Sequence, residues 1–240
     1  MNNHLDPYGY MIPEIFPTGE AYDPNAPLNV VTSCDCEFWF DGLDASTFTL
    51  NVANVIQWDD KSGNARHVLN GVDANRPTYI PATGRVAFVA ANGDYLKNVA
   101  FGALAEPNTV FVVAKITGAL TDSECIFTGN PGGGDAFIMF GSQWRINGDV
   151  YLIDGASDNN NNIHTGLFNG VSSEYWINGA SVASGNSGTG TIDQIMIGAL
   201  VAATYNADCE IMEVIGYNCD ITDAERNAVT AYLNTKWEVY

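Results

Sequence analysis

Cys209-Glu-Ile-Met-Glu-Val-Ile-Gly-Tyr217, followed by Asp220-Ile-Thr-Asp-Ala-Glu225 and by Val229, Tyr232, Leu233 and Trp237, decides the fold of this chain. The first nine residues are β-rich and in places apolar on both faces, as in a strand buried inside a two-layer structure. Thr222 is placed to cap the first free amides of a helix, and Glu225, three residues on, to reach back to the cap's own amide. The spacing therefore predicts a helix over 222–237. Its stripe of Val229, Tyr232, Leu233 and Trp237 faces inward, while Arg226, Asn227, Asn234 and Lys236 face water. No other stretch reads convincingly as a helix, so this one is expected to lie as a lid on a β-sandwich.

Upstream, the chain is a regular beat of short strands and turns. Strands are expected at Glu37–Phe40, Val55–Trp58, Arg85–Val89, Asp94–Leu96, Thr109–Lys115, Glu124–Thr128, Ala136–Phe140, Trp144–Ile146, Val150–Ile153, Glu174–Ile177, Ala180–Val182 and Ile192–Gly198. Asn92-Gly93, Asn147-Gly148 and Asn178-Gly179 are hairpin signals, because both positions tolerate positive φ. The glycine cluster Gly129–Asp135 reads as a hairpin loop. Such a pattern indicates antiparallel pairing.

Composition agrees. The 240 residues suit one large sandwich, and 46% apolar content can fill its core. The net charge of −19 repels phosphate backbones and anionic headgroups, so nucleic acid and membrane are not expected partners. No apolar run reaches the length of a spanning helix. The N-terminal Met1-Asn-Asn-His-Leu-Asp-Pro lacks the marks of a secretory signal, which predicts synthesis and retention in the cytoplasm.

Residues 1–36 hold five of the nine prolines, which argues for an extended arm. Tyr10, Ile12, Ile15 and Phe16 make it too apolar for a free tail. It either wraps its own domain or docks on a neighbouring subunit. The five cysteines, Cys34, Cys36, Cys125, Cys209 and Cys219, are irregularly spaced and odd in number. They are expected to be buried or free thiols rather than a disulfide framework, with a Cys34/Cys36 metal clip as the alternative.

Trp58-Asp-Asp-Lys-Ser-Gly-Asn64, Val86–Leu96, Thr109–Lys115, Tyr175-Trp-Ile-Asn-Gly179 and Ile211–Trp237 together resemble the concanavalin A-like lectin/glucanase (laminin-G-like) superfamily. They look like the versions found in bacteriophage virion proteins and bacterial surface proteins. The resemblance covers residues 37–240 and implies a jelly-roll sandwich of two antiparallel sheets with one C-terminal helix. It also implies a virion surface protein, in capsid decoration or tail, anchored by the arm to other virion proteins or to further copies of itself. A glycan-binding adhesin of a phage tail or bacterial surface is the alternative.

The motifs of catalysis are absent. Glycoside cleavage needs two carboxylates across a cleft, and Glu210 and Glu213, three apart on a strand, are expected on opposite faces. There is no G-x-S-x-G or H-E-x-x-H, and His4, His67 and His164 have no evident partners. A non-enzymatic protein is expected. For a ligand, Trp144 and Tyr151 are the candidate stacking aromatics, with Asp158, Asn160 and Asn162 to bind hydroxyls. Asp158–Asn162 imitates the start of an EF-hand, but Ile163 replaces the required glycine. Calcium is left with an irregular site at Asp59, Asp60 and Asn64, against the alternative of an ordinary polar turn.

Overall fold

The structure, a computed structural model, describes residues 25–98, 101–120, 123–130, 134–200 and 205–240. In chain order these residues form α1 (Ala26–Asn29), β1 (Cys36–Asp41), β2 (Phe48–Asn51), β3 (Asn54–Trp58), β4 (Val68–Leu69), β5 (Thr78–Ile80), β6 (Arg85–Phe88), β7 (Leu96–Lys97), β8 (Leu104–Ala105), β9 (Asn108–Ile116), β10 (Glu124–Thr128), β11 (Ala136–Phe140), β12 (Gln143–Asn147), β13 (Tyr151–Ala156), β14 (Asn162–Phe168), β15 (Ser173–Ile177), β16 (Ala180–Gly185), β17 (Thr191–Ile192), β18 (Met196–Ile197), β19 (Cys209–Tyr217) and α2 (Asp223–Trp237), with four short 3₁₀ turns between them. The protein is all-β with one C-terminal helix, as the sequence predicts.

Seventeen of the strands belong to one hydrogen-bonded antiparallel sheet, and β8 pairs with β17 separately. One stretch of the sheet runs β1–β19–β9–β14–β15–β16. The other runs β6–β5–β3–β4–β7–β18–β10–β11–β12–β13, with β2 folded onto β3. The two stretches join because β6 pairs with the first residues of β19 and β1 with the last. A sandwich of two antiparallel sheets was expected, and the strands of both stretches belong to one continuous hydrogen-bonded sheet. The largest buried cluster draws on both stretches: Phe38, Phe40, Val110, Val112 and Val214 from the first, and Val55, Trp58, Phe137, Met139 and Trp144 from the second.

Residues of β1, β9 and β19 that alternate with these face the other way. Trp39, Phe111, Val113, Met212 and Ile215 pack with Val229, Tyr232, Leu233 and Trp237 of α2 in a second cluster. The helix is therefore a lid on one face, its stripe as read from the sequence. Gly216 of β19 stands opposite Phe38, whose ring occupies the space a side chain would need.

The start signal of α2 is fully formed. Thr222 Oγ1 accepts from the amide of Glu225, and the Glu225 carboxylate accepts from the amide of Thr222. That carboxylate does more than close the box, for it also accepts from the amides of Thr32 and Ser33 at 2.7 and 3.0 Å. The Thr32 amide and the Ser33 hydroxyl hold its pKa far below the usual carboxylate range.

Several expectations are corrected. Lys236 does not face water, because its ammonium is buried between Asp41 (2.6 Å) and Glu213 (2.8 Å). Glu210 and Glu213 do not lie on opposite faces. A β-bulge in β19 shifts the register between Ile211 and Glu213, so that Met212 and Glu213 both turn to the helix side, the side of Glu210. Asn92-Gly93 closes a 3₁₀ turn, with Gly93 at φ 67°, and does not join paired strands. The strand expected over Ile192–Gly198 is two short ones, β17 and β18. Cys34 and Cys219 form a disulfide, Cα atoms 6.1 Å apart, rather than free thiols or a Cys34/Cys36 clip. Cys36, Cys125 and Cys209 are free, and Cys125 and Cys209 are buried.

Residues 26–29 of the expected extended arm make one helical turn, α1, with Pro27 in its first turn. Ala26 and Val31 join the cluster beneath α2, and Tyr217 Oη donates to the Pro27 carbonyl. The arm residues Tyr10, Ile12, Ile15 and Phe16 lie outside the described residues.

Candidate functional site

The strand β14, which turn-rich flanks and polar residues hide in the sequence, runs fully buried between β9 and β15. Its entry, Asp158–Asn162, is held by its own side chains. Asp158 Oδ1 accepts from the Asn160 amide (3.0 Å) and from Asn162 Nδ2 (2.8 Å), and Oδ2 accepts from Asn160 Nδ2 (2.8 Å). These donors hold the Asp158 carboxyl below its ordinary pKa against the effect of burial. Asn178, in the two-residue turn between β15 and β16, donates through Nδ2 to Asn162 Oδ1 at 2.8 Å and accepts from the Ile163 amide. Asn178 and Gly179 take φ of 53° and 78°, which is why Asn-Gly suits the turn.

Beside this network lies an open depression of about 480 Å³, lined by Arg85, Lys115, the 158–162 loop, Asn178, Val239 and Tyr240. Arg85 is engaged with Glu210. Lys115 has no acidic partner among the described residues. Tyr240 is 64% exposed. The arrangement offers amide groups, an ammonium and one aromatic face around a shallow concavity. Amides and an ammonium can bond hydroxyl groups, and an aromatic face can stack on an apolar ring face.

Three of the sequence candidates, Asp158, Asn160 and Asn162, thus stand together. Trp144 does not join them. Its ring is 2% exposed, 4.2 Å from the ring of His164. It is a core residue because it alternates with the outward Gln143 and Arg145 on β12. Tyr151 is 52% exposed but sits on β13, outside the depression. Lys115 and Tyr240 were missed, since a lone lysine on a strand and a terminal tyrosine give no motif.

The irregular calcium site is not assembled. Asp60 accepts from the amides of Trp39 (2.9 Å), Ser62 (2.8 Å) and Arg66 (3.0 Å). Asp59 accepts from Gln57, and Asn64 Nδ2 donates to the carbonyls of Cys36 and Glu37. These residues tie the loop after β3 to β1, the work of a polar turn. Among the described residues no group of three or more His, Cys, Asp or Glu side chains is arranged to hold a metal ion.

Carboxylates elsewhere are embedded in structure. Glu213, fully buried, accepts from Trp39 Nε1 (2.8 Å), Trp237 Nε1 (2.6 Å) and Tyr232 Oη (3.0 Å) beside Lys236. Burial pushes its pKa up although Lys236 pulls the other way. Glu210 answers to Arg85 instead, so the two acids are each engaged by a different cation.

At another place Asp135 is fully buried, and Asn108 Nδ2 donates to its Oδ2 at 3.1 Å. Its Oδ1 has no hydrogen-bond donor among the described residues. Burial first, and the Glu106 charge second, push the Asp135 pKa up to about 8. Glu106 is fixed by the amides of Gly170 and Gly190, both 2.7 Å away.

His164, expected without a partner, bonds Tyr175 Oη at 2.7 Å through Nδ1. Burial lowers its pKa to about 3, so it is a neutral core residue.

No family model and no curated protein sequence matches the chain. Solved structures do. The chain is similar to Trypanosoma rangeli sialidase at 15% identity and TM-score 0.54, covering 85% of this chain and 33% of that one. The same sialidase in complex with sialic acid gives 14% and 0.53, covering 85% and 34%. The binding domain of botulinum neurotoxin serotype D gives 16% and 0.57, covering 84% and 52%. The chain spans about a third of the sialidase chains and about half of the neurotoxin chain. At these identities the likeness concerns the all-β fold alone.

Proposed function

We propose that this chain is a non-enzymatic, lectin-like module whose sheet is a jelly-roll sandwich of the concanavalin A-like kind, and that it binds glycan in the depression at Asp158–Asn162. One observation carries the reading. The polar loop that sequence singles out for hydroxyl recognition is drawn by Asn178 to the side of Lys115 and Tyr240, around about 480 Å³ of open space. Two of the similar structures, a sialidase with bound sialic acid and a neurotoxin binding domain, are in keeping with it. Display on a bacteriophage virion, in capsid or tail, follows from the sequence resemblance. There residues 1–36 would anchor the module to other virion proteins or to further copies.

A glycan array probed with the intact chain tests the binding. Specific signals that weaken about tenfold in an Asn161→Ala, Tyr240→Ala double variant, with an unchanged thermal midpoint, are the expected result. An array silent at high protein concentration, with and without calcium, would leave a structural shell protein in its place.

A further inference from the structure

On the outer face of β11–β13, Ile138, Arg145 and Ile153 stand directly opposite one another across three strands. The Arg145 guanidinium lies between two rings, 4.8 Å from the centroid of Phe140 and 5.2 Å from that of Tyr151. Phe140, Tyr151 and Ile153 are 45%, 52% and 47% exposed, although each is large enough to drive burial.

The cation is equally unusual. In a chain with 28 acids and 9 basic residues, Lys61, Arg66, Arg76, Arg85, Arg226 and Lys236 are all paired with carboxylates. Arg145 is not. Among the described residues its one hydrogen bond is a long one, 3.4 Å, to the Phe140 carbonyl, and its Nε is buried without a partner.

We propose that Arg145, Phe140 and Tyr151 form a second binding surface, separate from the depression, for a carboxylate-bearing pyranose such as a uronic acid residue. The guanidinium takes the carboxylate as a charge-assisted, two-point contact. The flanking rings take the apolar faces of the sugar, as aromatic platforms do. The rings hold the guanidinium in place beforehand, so little side-chain freedom is lost on binding. Size favours a ring-scale ligand over a protein. A stable protein interface needs about 800 Å² and some 20 or more residues on each side, whereas the exposed apolar groups here are a few side chains on three adjacent strands.

Titration of the full chain with trigalacturonate, followed by calorimetry, tests this, with maltotriose as the uncharged control. The expected result is saturable binding of trigalacturonate, no binding of maltotriose, and about tenfold or more weakening in Arg145→Gln. Arg145→Lys, which keeps the charge but loses the fork, should fall between. The same titrations run in the Asn161→Ala, Tyr240→Ala background, where the depression is disabled, separate this surface from the depression. Equal binding of both sugars, or binding unchanged in Arg145→Gln, overturns the proposal. So does sugar silence combined with self-association in the ultracentrifuge that Arg145→Gln abolishes, which would make the face a protein contact.

Discussion

Replacing Asp135 by Asn should remove a proton-linked cost that the native protein carries through neutral pH. The parent holds Asp135 protonated up to about pH 8, because its site is buried and Glu106 stands beside it. In the unfolded chain the same carboxyl ionises near its ordinary value of 3.8. Between those limits unfolding releases a proton, so this group's share of stability falls as pH rises. The fall is about 1.4 kcal/mol per pH unit and stops above about pH 8. From pH 5 to pH 8 that amounts to about 4 kcal/mol. Asn is shaped like the protonated acid, and its carbonyl keeps the bond from Asn108. Urea unfolding of both proteins at half-unit steps from pH 4.5 to 8.5 gives the difference curve, in which the effect of the general acidic charge cancels. The variant should match the parent near pH 4.5 and exceed it increasingly up to pH 8. Parallel curves would refute the account of a protonated Asp135, as would a variant less stable than the parent at pH 8.

Two further outcomes follow from the helix side. Lys236→Met strands Glu213 and Asp41 without their shared cation and should cost about 3–5 kcal/mol, read as a drop in urea midpoint that Lys236→Arg only partly avoids. Deleting residues 1–36 removes Cys34, Thr32 and Ser33 and should cost about 2–4 kcal/mol from the disulfide alone. The same loss should appear in the parent on adding reductant.

The parts legible in sequence are those governed by local chemistry. The Thr222/Glu225 box, the strand Cys209–Tyr217, and the turns at Asn147-Gly148 and Asn178-Gly179 emerge where alternation and capping place them. What failed depends on distant partners. Lys236 sits on the polar side of the helical pattern, yet Asp41, 195 residues away, draws it inward. The bulge at Met212 leaves no signal, and it alone reverses the facing of Glu213. Asn162-Ile-His-Thr-Gly-Leu-Phe168 is missing from the expected strands, for Asn162 and His164 find their partners, Asn178 and Tyr175, only in the fold. The site divides the same way: the Asn-rich loop announces itself, while Lys115 and Tyr240 arrive by topology.

The bond between Cys34 and Cys219 fixes where tension would travel if the first residues were tethered. Traction on the chain before Asn25 passes through the sulfurs to the segment between β19 and α2, just beyond the longest ladders in the molecule. The Glu225 carboxylate clasps Thr32 and Ser33 next to that joint. Load therefore enters along the length of β19, in shear across many hydrogen bonds at once, and β1 is spared from being unzipped from its end. Reduction would reroute the pull onto β1, turning a mechanically resistant attachment into one that peels.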